Sequence, residues 1–355
     1  MAEPYRAVVI QSDVEMVDPT RPASQVKETM NRNLTRICQL IDWAAREKSH
    51  NEKLLIALPE SMLHGFPRAE RSLKELLKCC IAIPGPETQR LSEKAVEHKT
   101  YVVGHAWEVH PDWPDRHFGT AFIIDDKGEV ILKYRKIQLA FDIDALTSPH
   151  DVFDDYIERY GEDSLFPVVD TPLGRLGCFI CYDGLYPEIT RCLALKGAEV
   201  LIHPTSWFGV TCAEPYDWWE IQNRMRAAEN SCYVVAPNAG HTLNSPKRPK
   251  AQVPGRSMII DYEGRLLAKA GTSGELTIDA TIHLDALRHK RSLTRWNPLV
   301  TLRTEVYAPI YQQSVYPPNL WKEKPHNNLQ QVTKAILGSI RKFMDRDINA
   351  VKKRR

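Results

Sequence analysis

The chain has 355 residues, 43% of them hydrophobic and 26% charged, with a formal net charge of +2. That is ordinary globular composition, long enough for one large domain or two smaller ones, which sets disorder aside; the balance of acids and bases gives no general field for nucleic acid or an anionic membrane. No apolar run is long enough to cross a bilayer, and Met1-Ala2-Glu3-Pro4 leads straight into a strand-like stretch instead of a secretion signal, so a cytoplasmic protein with reduced cysteines is expected.

A strand over 5–10 comes first. Across 25–48 the residues Val26, Met30, Leu34, Ile37, Ile41 and Ala44 recur at three- and four-residue steps, which predicts a helix with one buried face. The next strand, 53–58, is nearly all apolar and ends in Pro59-Glu60, the pattern of a strand covered on both sides whose chain then emerges at a site. A helix over 88–99 and a strand over 101–109 follow. Strands at 118–124 and 130–134 flank Asp125-Asp126-Lys127-Gly128-Glu129, a hairpin signal with glycine available for positive φ, and Lys136 comes directly after.

A long acidic connection over 142–163 leads to a strand at 176–181, a helix at 187–196, a strand at 200–203, a helix at 217–230 and a strand at 233–237. A hairpin, 258–262 with 266–270, precedes a last strand at 276–280. Strand–helix alternation mixed with two hairpins predicts an α/β layered domain with mixed sheets, spanning 1–287. The portion 288–355 changes character. It carries Pro298, Pro309, Pro317 and Pro318 among Trp296, Tyr307, Tyr311, Tyr316 and Trp321, then a helix near 329–345. Aromatics without a helix or strand period need another surface to cover them, so this arm is expected to pack on a neighbouring subunit of a homodimer or larger homo-oligomer.

The stretch Gly177-Cys178-Phe179-Ile180-Cys181-Tyr182-Asp183-Gly184 puts a thiol where a strand must stop, close to the start of the helix at 187. Partial positive charge there favours thiolate, which makes Cys181 the candidate nucleophile. A thiol attacking a carbonyl needs a base, a donor for the oxyanion and an acid for the leaving nitrogen. None of the twelve histidines stands in a protease context, but Glu60 and Lys136 both sit where strands give way to loops. Taken alone, Cys181 reads as a core thiol and Glu60 and Lys136 as surface charges; together they read as a site. Cys178 and Cys181 fall on opposite faces of a straight strand and make a poor metal or redox pair. Cys38, Cys79, Cys80, Cys192, Cys212 and Cys232 read as packing residues. Arg226 and Glu229 are spaced for a structural ion pair on one helix.

Leu58-Pro59-Glu60, Tyr134-Arg135-Lys136 and Cys181-Tyr182-Asp183 resemble, in order and spacing, the Glu-Lys-Cys set of the nitrilase superfamily of carbon–nitrogen hydrolases. The similarity extends to Gly174–Gly177, Pro187-Glu188, Gly197-Ala198, Arg226-Ala227-Ala228-Glu229-Asn230 and Gly255-Arg256-Ser257, over roughly 5–285. It implies a four-layer α-β-β-α sandwich with two mixed β-sheets. It also implies that Glu60 is general base and acid, that Lys136 and the backbone N–H of Tyr182 hold the oxyanion, and that Cys181 forms a thioester, with no metal or organic cofactor. Glu158, or alternatively Glu162, matches a second glutamate that many relatives carry. Trp207, after a strand at the active edge, is the expected pocket wall.

Two departures stand beside the substrate entrance: Gln138 replaces a frequent histidine, and 141–164 is long and acidic. Cys181-Tyr182-Asp183 in place of the Cys-Trp-Glu of true nitrilases favours a small amide or N-carbamoyl compound. Glu158–Ser164 and Asp170–Gly174 look more like the nitrilase branch, which keeps a nitrile as the alternative substrate. Acyl transfer from the same thioester and a catalytically silent binding protein on this fold are further alternatives. Arg68, Arg159 and the aromatics near Trp207 permit several acidic or aromatic ligands.

Overall fold

Alternation along the first strand, β1 (Tyr5–Gln11), decides the architecture. Ala7 and Val9 face a core shared with a second sheet, whereas Val8 and Ile10 face a layer of helices. A computed structural model describes residues 2–49, 52–67, 72–140, 146–207, 215–245, 248–252, 255–271, 273–326 and 329–352. After β1 come β2 (Val14–Glu15), α1 (Ala23–Ala45), β3 (Leu54–Ala57), α2 (Leu73–Leu76), α3 (Pro86–His98), β4 (Tyr101–His110), β5 (Trp113–Ile124) and β6 (Val130–Arg135). The second half holds α4 (Phe153–Tyr160), β7 (Val168–Thr171), β8 (Gly174–Cys178), α5 (Pro187–Leu195), β9 (Val200–Ile202), α6 (Trp218–Ala228), β10 (Tyr233–Ala236), β11 (His241–Ser245) and β12 (Arg248–Gln252). It closes with β13 (Met258–Ile260), β14 (Leu266–Lys269), β15 (Leu276–Ile282), α7 (Leu284–Ser292), α8 (Thr304–Tyr311) and α9 (Leu329–Lys352).

Two six-stranded sheets run in the orders β15-β1-β3-β4-β5-β6 and β14-β13-β10-β9-β8-β7. In each, three inner strands are parallel, β1-β3-β4 and β10-β9-β8, and the outer strands are antiparallel. Parallel strands need both faces covered, and β3, β9 and β10 are buried at every residue. One face of each sheet meets the other sheet through Leu55, Ala57, Val103, Cys178, Ile180 and Val235. The first sheet's outer face takes α1 and α3 through Met30, Leu34, Ile37, Ile41 and Leu91, and Leu193, Trp219 and Ala227 bring α5 and α6 into the second sheet's core. The result is a four-layer α-β-β-α sandwich with two mixed sheets, as the family resemblance implies.

The predicted strands and helices are found with small shifts at their ends. The acidic connection contains α4, whose Phe153, Tyr156, Ile157 and Tyr160 have the helical period that its acids obscure. β7 and the small sheet β12-β11-β2 are additional. Helix α7 runs across residue 287, and its Leu284 and Leu287 are buried in the main core. Further along, the arm touches its own chain: Arg116 Nη2 donates to the Lys322 carbonyl at 2.6 Å and Asn319 N–H to the His150 carbonyl at 3.0 Å. Val306, Ile310, Leu337 and Phe343 stay exposed. Among the described residues no helix is long and apolar enough to cross a membrane.

His64, His105, His117 and His203 are fully enclosed. Burial lowers all four: His64 and His203 to about 4, His117 to about 3 and His105 well below its ordinary value. The folded chain keeps them neutral at a pH where the unfolded chain, with imidazoles near 6.5, takes up protons. Asp151 and Asp183 oppose this, because burial pushes each up to about 6 and the folded chain holds protons that the unfolded chain has released. On these six groups the unfolded chain binds about two more protons between about pH 6 and 5, so stability falls as pH falls, by about 3 kcal/mol per unit. Urea unfolding at those two pH values measures this, and a midpoint that holds or rises at the lower pH contradicts it.

Candidate active site

β3 stops because Pro59 has no N–H for the ladder, and the chain turns so sharply that Ser61 takes φ +58°. Ser61 N–H donates to His105 Nδ1 at 2.9 Å, fixing the turn to β4, and Glu60 N–H reaches across to the Thr205 carbonyl beyond β9 at 3.3 Å. One residue past β6, Lys136 is tied back by its N–H to the Gly119 carbonyl at 2.8 Å. Its side chain turns inward. Lys136 Nζ donates to Glu60 Oε1 at 2.9 Å, and Ser206 N–H donates to Glu60 Oε2 at 3.1 Å. Both charged side chains are 1% exposed, so each is held where an isolated charge would be far too costly.

β8 ends at Cys178, three residues short of the strand end expected from the sequence. Pairing continues through Phe179 N–H to the Ile202 carbonyl at 3.1 Å and Cys181 N–H to the Pro204 carbonyl at 3.1 Å. Cys181 itself has φ +47°, a left-handed conformation that costs a non-glycine residue about 1–3 kcal/mol and is characteristic of functional turns. A single 3-10 turn over Cys181–Leu185 follows, and α5 begins at Pro187. Cys181 is half-buried. Cys178 is sealed in and burial pushes its thiol well up, so only one of the two sulfurs is suited to chemistry.

Two bridges place this thiol with the ion pair. The segment 203–206 holds the Cys181 backbone at Pro204 and the Glu60 carboxylate at Ser206. Asp183, two residues after the thiol, accepts from Ile180 N–H at 2.9 Å, Gln138 N–H at 2.8 Å and Tyr134 Oη at 2.8 Å, so it joins the Cys181 turn to the strand that delivers Lys136. The sequence offered Asp183 as part of a turn signal and as a marker of substrate chemistry, not as a bridge. Its burial beside an apolar run, with three donors to satisfy, is visible only in three dimensions.

Tyr182 is half-buried, with its ring edge-on to Tyr186 at 5.6 Å. Trp207 follows Ser206, and its N–H donates to Asn238 Oδ1 at 2.9 Å. Glu158 lies exposed on α4, which docks through buried Tyr156 against Trp113 and Arg135. Among the described residues Glu158 makes no hydrogen bond or ion pair, and Glu162 is exposed as well. Arg159 is paired with Asp112 at 2.6 Å, and Arg226 with Glu229 at 2.6 Å. Arg68 and Cys212 lie outside the described residues. The acid and histidine cluster Asp42, Glu97 and His98 sits on α1 and α3, with Lys94 Nζ 2.9 Å from Asp42 and 2.8 Å from Glu97. An ammonium already serves that cluster. At the strand ends the chemistry on offer is a thiol, a carboxylate able to carry its proton and an ammonium able to meet an oxyanion.

A family model described as carbon–nitrogen hydrolase matches residues 20–292. The chain is 31% identical over 269 residues to the omega-amidase NIT2 of Bos taurus, covering 75% of this chain and 88% of that protein. The crystal structure of Saccharomyces cerevisiae Nit3, described as a member of branch 10 of the nitrilase superfamily, matches with a TM-score of 0.63 and 25% identity, over 85% of this chain and 96% of that one. A carbon–nitrogen hydrolase from Helicobacter pylori shares the fold with a TM-score of 0.68 at 20% identity, over 88% and 99% of the two chains.

Replacing Asp183 by alanine strands three buried donors and is expected to lower stability by about 3 kcal/mol or more, whereas Tyr134→Phe, which removes one donor and leaves the carboxylate two, costs about 1 kcal/mol. Urea denaturation of the two variants reads the difference. Equal, small losses would show that Asp183 does not join the two segments.

Proposed function

We propose that in this chain, which belongs to the carbon–nitrogen hydrolase family and is an amidase-type enzyme, Cys181 hydrolyses the amide of a small carboxylic acid through a thioester. Glu60 takes the Cys181 proton and the sulfur attacks the amide carbon. Lys136 Nζ and the Tyr182 N–H receive the developing oxyanion, each good donor contributing about 3–4 kcal/mol to the transition state. When the tetrahedral species collapses, the C–N bond breaks and Glu60 returns its proton to the departing ammonia or amine. Water then gives a proton to Glu60 and attacks the thioester carbon, the C–S bond breaks, and that proton restores the thiol as the acid leaves.

The observation that carries this reading is the Lys136–Glu60 pair at 2.9 Å, sealed from solvent and tied by backbone bonds to the turn bearing Cys181. The likeness to NIT2, named an omega-amidase, favours a terminal amide on a carboxylic acid over an N-carbamoyl compound. Trp207 serves as a pocket wall in this reading, since the residue before it holds Glu60. These steps call on three side chains and no cofactor, and Glu158 is given no step. Exposed Val306, Ile310, Leu337 and Phe343 are where a second subunit would cover the arm.

Ammonia release from terminal amides of dicarboxylic acids, ureido acids and nitriles tests the reading. Wild type is expected to act on the amides, Cys181→Ala to lose about 10⁴-fold or more, and Lys136→Met about 100- to 1000-fold. Acid formed from nitriles but not amides would overturn the choice of substrate. No release from any of the three would favour a silent binding protein.

A further inference from the structure

His203 occupies a position that no step above uses. It follows β9 at the centre of the second sheet, is fully buried, and stacks on Phe179 with ring centroids 3.9 Å apart. Its N–H donates to the Val235 carbonyl at 2.8 Å, so the backbone beneath the ring is fixed by the sheet. The ring's Nε2 lies 3.0 Å from the carbonyl oxygen of Cys181, Nδ1 lies 2.7 Å from Asn223 Oδ1, and Asn223 Nδ2 donates to the Trp219 carbonyl at 2.8 Å. The next residue, Pro204, accepts the Cys181 N–H. One dipeptide therefore grips the nucleophile's backbone on both sides.

The ring has one proton at neutral pH, because burial holds His203 down to about 4 and the cations Arg226 and Lys136 press in the same direction. A proton on Nδ1 would donate to Asn223 Oδ1 but leave a lone pair against the Cys181 carbonyl oxygen 3.0 Å away, with no donor between them. With the proton on Nε2, that carbonyl has a donor, and turning the Asn223 amide over supplies an N–H to Nδ1 in exchange for the amide's bond to the Trp219 carbonyl, which lies inside α6 with a helical N–H of its own. The arrangement that anchors the Cys181 carbonyl is Nε2–H donating to it.

In a trans peptide, C=O and N–H point in opposite directions. Anchoring the Cys181 carbonyl on the sheet side aims the Tyr182 N–H away from the sheet, at the start of a 3-10 turn whose first amides lack an intrahelical acceptor. We propose that His203 is a positioning residue for the oxyanion site: by holding the Cys181 carbonyl it orients the Tyr182 N–H toward the substrate oxygen. This rests on the thioester reading above.

His203→Gln keeps an N–H near the place of Nε2, His203→Asn keeps one near Nδ1 only, and His203→Phe keeps the stacking alone. The Asn and Phe variants are expected to lose about 100-fold in kcat on the best amide of the panel, with KM within about 3-fold, and the Gln variant to recover to within about 10-fold of wild type. Iodoacetamide alkylation of Cys181, a displacement that forms no oxyanion, is expected to stay within about 3-fold in all three. The proposal is overturned if kcat holds within about 3-fold in the Asn and Phe variants, if Gln is no better than Asn, or if alkylation falls as far as kcat. Should the Phe variant fail to fold, the Gln–Asn comparison decides alone. Hydrolysis of p-nitrophenyl acetate separates the two claims: wild type silent on amides but with ester rates in the same variant order would sink the amidase reading and keep the role of His203, while loss of both activities sinks both.

Discussion

A carboxylate and an ammonium buried together, Glu60 against Lys136, set the terms for the rest of the molecule. Taking two charges out of water is costly, and the loss is offset only if their geometry is fixed and the remaining oxygen is satisfied. The Ser206 N–H supplies that bond from the second sheet, while the two charged residues come from the first. The pair is therefore tolerated only where both sheets meet, and this is where the Cys181 turn lies.

Packing and chemistry are linked through that junction. The inner strands β3 and β9 and the Leu176–Cys178 end of β8 are sealed, so their register is specified by the two cores, and the residues that follow them inherit a fixed position. Thr205, Pro204 and Asp183 then pass backbone bonds between the segments bearing Glu60, Lys136 and Cys181. The left-handed turn at Cys181 is a local strain that this framework over-determines, which presents the sulfur at the end of a strand instead of leaving it in the core as Cys178 is left.

Much of this was legible in the sequence because apolar runs and their terminators are local signals. Pro59 marked the end of β3, Asp183-Gly184 and Pro187 the turn into α5, and Asp125–Glu129 the hairpin before Lys136. What escaped was set by distant partners. Asp183, Ser206 and His105 take their importance from hydrogen bonds to segments 44 or more residues away. α4 was masked by its acids although its apolar residues keep helical spacing, and the exposure of Glu158 follows from Tyr156 being the face that packs.

The central claim is that one sulfur carries the acyl group while the buried pair serves it. Rapid quenching of wild-type enzyme during turnover of an amide, followed by intact-mass and peptide mapping, tests this directly. The account predicts one added acyl mass on the peptide containing Cys181, removable by neutral hydroxylamine. Turnover with the acyl group on another residue, or with Cys181 free throughout, would contradict it.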